Sequence, residues 1–136
     1  VRVTLVGGRG FQVRKRGVFK KDDVPDVYCK VQYGDNLQGT PWNTSVIKDS
    51  TEPQWNESKT FTCYSYQDNI TVDVFDKNKK GKDTYHGSGQ VRVGKLLLGG
   101  GALTEVELVL SSSGGKNKKD NKGTGLFVSI KAELVE

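Results

Sequence analysis

Apolar and polar residues alternate with a period of two along most of the chain, and no helical period persists beyond one turn. In the segment 27–33, for example, Val27, Cys29, Val31 and Tyr33 occupy every second position. Such alternation is typical of strands that bury one face and expose the other. The pattern recurs in eight segments: 1–5, 27–33, 42–48, 59–64, 70–75, 87–93, 106–110 and 126–134.

The pattern predicts an all-β fold, an eight-stranded antiparallel β-sandwich with short strands joined by turns. A single candidate helix spans 93–98 and ends at the three glycines that follow it. The length of 136 residues suits one domain, so we expect a single domain over 1–136. No apolar run is long enough for a transmembrane helix, and no signal peptide is recognisable. Because the chain begins with Val1 rather than Met, we expect it to be a domain of a larger protein.

The net charge of +5 is concentrated in three segments. Segments 13–21, 76–83 and 116–122 carry +5, +2 and +3, so the rest of the chain carries −5. If the strands alternate in direction, the loops after the first, third, fifth and seventh strands share one end of the sandwich. All three segments fall in these loops, which predicts a basic end formed by 13–21, 76–83 and 116–122. The alternative is that the segments are separate solvated loops that keep the protein soluble.

Three segments, in this order and at these spacings, resemble motifs of the C2 domain family. Asp26–Val31 (DVYCKV) resembles the family's DPYVKV. Pro53–Glu57 (PQWNE) resembles its NPxWNE, with Glu52 where Asn is usual. Val72–Asp76 (VDVFD), followed by Tyr85-His86-Gly87, resembles VxVxDxD…DFLG. The resemblance covers essentially the whole chain.

The first strand leads directly into the DxYxK segment, and a final strand at 125–134 closes the chain. This arrangement resembles the type II topology of C2 domains, which occurs in cytosolic phospholipases and HECT-type ubiquitin ligases. The resemblance implies a non-catalytic signalling module of the cytoplasm that binds phospholipid at the membrane periphery. We expect a monomer.

The resemblance also implies a calcium site between the first and third loops of the basic end. Ca²⁺ prefers six to eight oxygen ligands, several of them carboxylates. Asp26 and Asp76 match family ligand positions, whereas Lys20, Asn78 and Thr84 stand at the others. Neighbouring acids can substitute, which gives the predicted metal ligands Asp22, Asp23, Asp26, Asp76, Asn78 and Asp83.

Four lysines share the third loop with these ligands and would repel a divalent cation. We therefore expect Ca²⁺ to be at most a weakly bound cofactor. The alternative is a degenerate site whose aspartates only cap turns.

The basic end also contains the elements of an interfacial lipid anchor. Val18 and Phe19 are apolar residues in a loop that carries five cations. Such a pair can enter the headgroup boundary while the cations hold anionic lipid, although Phe19 could instead fold back on the sandwich. The predicted lipid-binding residues are Arg14, Lys15, Arg16, Val18, Phe19, Lys20, Lys21, Lys79, Lys80 and Lys82.

Three other function classes compete with docking on anionic phospholipid membranes. A calcium-independent protein–protein adaptor, a domain of a larger protein with a protein partner, is the main alternative. Nucleic acid binding is disfavoured, because few aromatic residues interleave the cations. An enzyme is disfavoured because the one histidine, His86, has no nucleophile motif or metal-ligand spacing near it. Cys29 and Cys63 are expected to be free thiols.

Overall fold

The computed structural model describes residues 1–13, 23–34, 41–97, 106–111 and 123–135. These residues form eight strands and one short helix. The elements are β1 (Arg2–Arg9), β2 (Val27–Tyr33), β3 (Trp42–Asn43), β4 (Gln54–Thr60), β5 (Asn69–Asp76), β6 (Thr84–Arg92), α1 (Val93–Leu97), β7 (Val106–Ser111) and β8 (Gly123–Glu133). Within the described part of the chain, no helix has the length and apolar character needed to cross a bilayer.

The strands form one continuous sheet in the order β3-β2-β5-β6-β7-β8-β1-β4, and every neighbouring pair is antiparallel. The sheet folds into a sandwich whose two four-stranded halves meet at β6 and β7. These two strands are paired only at Ser88 and Ser111 among the described residues. The predicted eight-stranded antiparallel sandwich is confirmed.

The core lies between the two halves and consists of the alternating apolar residues. Val3 and Leu5 of β1 and Val72 and Val74 of β5 belong to one core, and all four are fully buried. Each fully buried side chain of this size contributes about 1.5–3 kcal/mol. Outward residues of the same strands are polar or half-buried, as the period of two predicted. The cysteines are free thiols, Cys29 in the core and Cys63 half-buried after β4.

Two strand predictions were wrong in position. The predicted strand at 59–64 is β4 at Gln54–Thr60, where Trp55 is the one buried residue. Because β4 is an edge strand, it shows little alternation, whereas Phe61 beyond it packs on Tyr33 from a loop. The predicted strand at 42–48 shortens to β3, because Thr44 turns its hydroxyl inward to accept a hydrogen bond from the Cys29 N–H at 2.9 Å.

β1 is longer than predicted and continues through Gly7 and Gly8, which pair with Ser129 and Val128 of β8 after a bulge. The predicted helix at 93–98 is α1, Val93–Leu97, and position 98 lies outside the described residues.

Since all pairs are antiparallel, odd-numbered strands run in one direction and even-numbered strands in the other. The carboxyl ends of β1, β5 and β7 therefore lie at the same end of the sandwich. Segment 77–83 connects β5 to β6 there, and Ser111 and Gly123, the ends of β7 and β8, pair at the same end. The first basic segment, 13–21, lies between β1 and β2, and the described residues nearest to its undescribed part are Val13 and Asp23. Residues 14–22 and 112–122 lie outside the described residues, but their borders are all at the basic end.

Gly10 fixes the exit of the chain from β1 toward the basic end. Its φ of 93° lies in the left-handed region. A Cβ atom at this position would lie 2.2 Å from the carbonyl oxygen of Gly125, which is backbone that cannot move independently of β8. Both the dihedral angle and the close approach require glycine here.

We predict that Gly10→Ala lowers the free energy of unfolding by about 3 kcal/mol, because strain and a backbone clash add. The matched control is Gly81→Ala, since Gly81 has a φ of 81° but open space where the Cβ would stand. The control should lose only the dihedral cost of roughly 1–2 kcal/mol. Urea denaturation measures both, and equal losses in the two variants would contradict the close approach at Gly10.

Candidate functional site

An open cleft of about 560 Å³ lies at the basic end between the entry to β2 and the loop after β5. Four of its seven lining residues are predicted metal ligands, and the other three are lysines. The lining residues are Asp23, Asp26, Asp76, Lys77, Asn78, Lys79 and Lys80. The fold therefore brings together the described ligand candidates of both loops, except Asp83.

Asp26 and Asp76 join the strand ends β2 and β5 through hydrogen bonds to the backbone. Asp76 Oδ1 accepts a hydrogen bond from the Asp26 N–H at 2.9 Å. Asp26 Oδ1 accepts one from the Asp49 N–H at 2.8 Å, and the Asp26 carbonyl oxygen accepts one from the Lys77 N–H at 2.9 Å. One oxygen of each carboxylate thus stabilises the protein's own loops.

Asp83 is held away from the cleft by a second set of contacts. Its Oδ2 accepts a hydrogen bond from the Tyr28 hydroxyl at 2.5 Å, and its Oδ1 accepts one from the Asn78 N–H at 3.0 Å. The Asn78 side-chain amide donates to the Lys82 carbonyl oxygen at 2.7 Å and to the Thr84 hydroxyl at 2.9 Å. These bonds close the loop 77–83 on itself.

The contacts of Asp83 shift two pKa values in opposite directions. The Tyr28 hydroxyl, the Asn78 N–H and the nearby charge of Lys77 lower the pKa of Asp83. Partial burial, together with the bond to Asp83, raises the pKa of Tyr28 to about 12. Asp83 is therefore ionised at neutral pH, while Tyr28 keeps its proton and remains the donor.

The described residues supply an incomplete set of ligands for calcium. Ca²⁺ needs six to eight oxygens, yet Asp26, Asp76 and Asp83 already use carboxylate oxygens to bind N–H and O–H groups. Three lysines line the same cleft. In the described part of the chain, no three His, Cys, Asp or Glu side chains are grouped so as to hold a metal ion. Asp22 lies outside the described residues, so the predicted ligand set stays a prediction.

Three of the predicted lipid-binding lysines, Lys79, Lys80 and Lys82, are exposed on the loop after β5. None of them forms an ion pair with a carboxylate among the described residues, where the Lys/Arg ion pairs are Arg2–Glu133 and Arg9–Glu107. Their charges are therefore available to a ligand. The other predicted lipid-binding residues lie outside the described residues: Arg14, Lys15, Arg16, Val18, Phe19, Lys20 and Lys21.

An aromatic row beside the cleft was not foreseen from the sequence. Tyr28 stacks on Phe75 with ring centroids 5.5 Å apart, and Phe75 contacts Tyr85 at 5.6 Å. These side chains lie on the outer face of β2, β5 and β6, and Tyr85 is 41% exposed. The row follows from cross-strand pairing, since Tyr28 lies opposite Phe75 and Phe75 lies opposite Tyr85. These pairs can be recognised only once the register of the sheet is known.

His86 lies below the cleft, between the two halves of the sandwich. Its Nε2 is buried without a hydrogen-bond partner among the described residues and stands 3.9 Å from Asp76 Oδ2, and its ring meets Phe11 edge-on. Within the same residues, no metal-ligating cluster accompanies it.

The family model of the C2 domain matches residues 1–108 of this chain. E3 ubiquitin-protein ligase NEDD4 of Rattus norvegicus is 34% identical over 91 residues, which is 64% of this chain and 10% of that protein. Multiple C2 domain and transmembrane region protein 10 of Arabidopsis thaliana is 29% identical over 97 residues, or 71% of this chain and 9% of that protein. The chain thus spans about a tenth of the length of these relatives.

Solved structures share the fold. A C2 domain of plant Extended Synaptotagmin 1 superimposes with a TM-score of 0.67 at 20% identity, covering 98% of this chain and 95% of that one. The calcium-bound pair of C2 domains from Extended-Synaptotagmin 2 gives a TM-score of 0.65 at 16% identity, over 96% of this chain and 44% of that one.

We predict that Tyr28→Phe raises the pKa of Asp83, because its largest stabilising hydrogen bond is lost while the effects of Asn78 and Lys77 remain. An acid whose pKa is lowered by folding adds stability above its unfolded pKa, and this stability is lost as pH falls through its folded pKa. The variant should therefore lose less stability on acidification than the parent.

A ¹³C NMR titration of the Asp83 carboxyl carbon measures this shift directly. Tyr85→Phe is the control, because it removes a neighbouring phenol that does not bond to Asp83. An Asp83 titration that is the same in Tyr28→Phe and in the parent would contradict the hydrogen bond as the cause.

Proposed function

The chain belongs to the C2 domain family, a family of lipid- and membrane-binding modules, and from this we propose that it docks on anionic phospholipid membranes through its basic end. In this proposal the domain is a non-catalytic peripheral membrane module of the cytoplasm. The observation that carries the proposal is the cluster of exposed lysines Lys79, Lys80 and Lys82, which have no carboxylate partner among the described residues. They lie at the end where all three basic segments are attached.

Electrostatics favours docking by this end. Each cation near an anionic leaflet contributes about 1 kcal/mol, and charges act together only within a Debye length of about 8 Å. The strand ends that border the segments carrying +10 in total lie at one end, while the remaining chain carries −5. The protein is therefore polarised, and an anionic surface orients it with this end forward.

Apolar and aromatic side chains would add a shallow insertion to this attraction. Val18 and Phe19 belong to the first basic segment. Tyr85 extends the aromatic row to the surface beside the cleft and is 41% exposed. Tyrosine suits the interface between headgroups and acyl chains, since its ring is apolar and its hydroxyl polar. Cations with a few apolar residues suffice for reversible docking.

Calcium is at most an assisting ligand in this proposal. The loops of the basic end are already joined by hydrogen bonds to Asp26, Asp76 and Asp83, so they need no metal to assemble. A cation in the cleft would gain the remaining carboxylate oxygens and would meet the repulsion of Lys77, Lys79 and Lys80.

We predict that Lys79→Ala/Lys80→Ala/Lys82→Ala lowers the partition coefficient for anionic vesicles by about 100-fold, from about 1 kcal/mol per lysine. Arg14→Ala/Lys15→Ala/Arg16→Ala should have a similar effect. Co-sedimentation with phosphatidylserine vesicles measures this, and binding of the parent should weaken steeply with salt. Neutral phosphatidylcholine vesicles should not bind.

The charge-matched control is Arg2→Ala/Lys59→Ala/Lys131→Ala, which removes three cations from strand positions near the end of the sandwich opposite the basic end. This control should lower vesicle binding by less than about threefold, because distant cations contribute only through the screened, long-range effect of net charge. If this control loses as much binding as the lysine variant, net charge alone drives binding and the proposal of a docking end is wrong.

We predict that vesicle binding persists in chelator and that calcium strengthens it by no more than about tenfold, because the cleft lysines oppose the cation. Asp76→Asn should abolish the calcium increment and leave binding in chelator intact. The asparagine Oδ1 can still accept the hydrogen bond from Asp26. Binding that occurs only with calcium would refute this mode of docking, and an increment that survives in Asp76→Asn would show that the ligands lie elsewhere.

A further inference from the structure

Two tyrosines project from the end of the sandwich opposite the basic end. They belong to the tyrosine loop, residues 61–68, which connects β4 to β5. Tyr64 is 68% exposed and Tyr66 is 57% exposed. Exposed aromatic side chains of this size lose contact with water only when another molecule covers them, and tyrosine is enriched at the centres of protein interfaces.

The tyrosine loop is fixed internally. The Ser65 N–H donates to Asp68 Oδ2 at 3.0 Å, and the Asp68 N–H donates to the Ser65 carbonyl oxygen at 3.0 Å. The Tyr33 hydroxyl donates to the same Asp68 oxygen at 2.8 Å. The ring of Phe61 stacks on Tyr33 at 5.5 Å. Both ends of the loop are therefore bound to the sandwich.

The loop is also fixed against α1. The Gly94 N–H donates to the Tyr66 carbonyl oxygen at 2.8 Å, and the Val93 N–H donates to the Asp68 carbonyl oxygen at 2.8 Å. A Cβ at Gly94 would lie 2.9 Å from that Tyr66 oxygen, so glycine permits this approach. A loop ordered before binding loses little conformational entropy when a partner binds.

Two exposed cations belong to the elements that contact the tyrosine loop. The Arg92 guanidinium donates to the side chain of Gln67, the residue after Tyr66, at 2.7 Å. Lys95 is exposed on α1, directly after Gly94. The acidic residue of the loop, Asp68, is half-buried and turned toward Tyr33. Among the described residues 61–68 and 92–97, the exposed charged side chains are therefore the cations Arg92 and Lys95.

We infer that the tyrosine loop, together with Arg92 and Lys95, is a docking surface for an acidic, extended segment of a partner protein. Carboxylates of the segment pair with the two cations, and its apolar side chains cover Tyr64 and Tyr66. Tyrosine and arginine are among the residues that most often dominate binding energy at protein interfaces.

The position of this surface excludes the bilayer as its occupant during docking. Strands of eight residues, such as β5, separate the two ends of the sandwich by about 25 Å. When the basic end contacts the membrane, the tyrosines face away from it. This orientation rests on the proposed function, whereas binding of the acidic segment in solution does not.

A phage-displayed library of random twelve-residue peptides, selected on the immobilised chain, tests the inference. Selected peptides should be enriched in Asp and Glu, and fluorescence anisotropy of the synthetic peptides should show binding that weakens with salt. Tyr66→Ala and Lys95→Glu should each reduce the affinity at least tenfold. Val109→Ala, an equally exposed apolar position on β7, is the matched control and should leave affinity unchanged.

Each other outcome overturns the inference. Selection of no acidic peptide, or equal affinity of the peptides for Tyr66→Ala, removes the basis for an acidic partner. Self-association in sedimentation velocity that Tyr66→Ala abolishes would make a second copy of the chain the occupant. Thermal denaturation of Tyr66→Ala should match the parent, so a lost affinity is not a loss of fold.

A ternary assay separates this inference from the proposed function. Labelled acidic peptide should co-sediment with phosphatidylserine vesicles only when the protein is present. Protein that binds the peptide in solution but does not itself sediment with the vesicles would refute membrane docking and leave the tyrosine surface standing. Competition between vesicles and peptide would overturn the inference, because both would then occupy the same surface.

Discussion

Hydrogen bonds from backbone N–H groups to three aspartate carboxylates hold together the end of the sandwich on which the proposed function depends. Asp76 accepts from Asp26, Asp26 accepts from Asp49, and Asp83 accepts from Asn78. Bonds to a charged acceptor are roughly twice as strong as neutral ones. They oppose the mutual repulsion of the lysines in the same loop. Oxygens of the carboxylates that a calcium site would require are thus already used to maintain the loops, and this is the physical basis for proposing that calcium assists at most weakly.

Strand direction determines which loops act together. Because every neighbouring pair is antiparallel, loops that are far apart in sequence are attached to strand ends at one end of the sandwich. Cations spread evenly over the surface would be separated by more than a Debye length and would act singly. In the proposed function, cations attached at one end attract an anionic surface jointly. Whether cations that are clustered in the sequence are also close in space depends on this topology.

The alternation of apolar residues was enough to predict the core, because β-strands place every second side chain on the same face. It failed where a strand lies at the edge, as in β4, since Trp55 alone is buried there. It also failed at Thr44, a polar residue whose hydroxyl is buried to bond the Cys29 N–H. Cross-strand relations, such as Phe75 opposite Tyr85, need the register, which a single sequence does not provide. The position of the strand ends that border the basic segments was predictable, because it requires only the number and direction of the strands; segments 14–22 and 112–122 themselves lie outside the described residues.

The two ends of the sandwich differ in how their charges relate to their backbone. At the basic end, the carboxylates of Asp26, Asp76 and Asp83 accept hydrogen bonds from groups of the loops, whereas Lys79, Lys80 and Lys82 are exposed. The tyrosine loop repeats this arrangement with one acid, since Asp68 turns toward Tyr33 and Ser65 while Arg92 lies outside. At both ends, aspartates accept hydrogen bonds that fix a loop while cations are exposed to solvent. In the two proposals the domain binds anionic partners at opposite ends, and a membrane held at the basic end lies too far from Tyr64 and Tyr66 for these side chains to contact it.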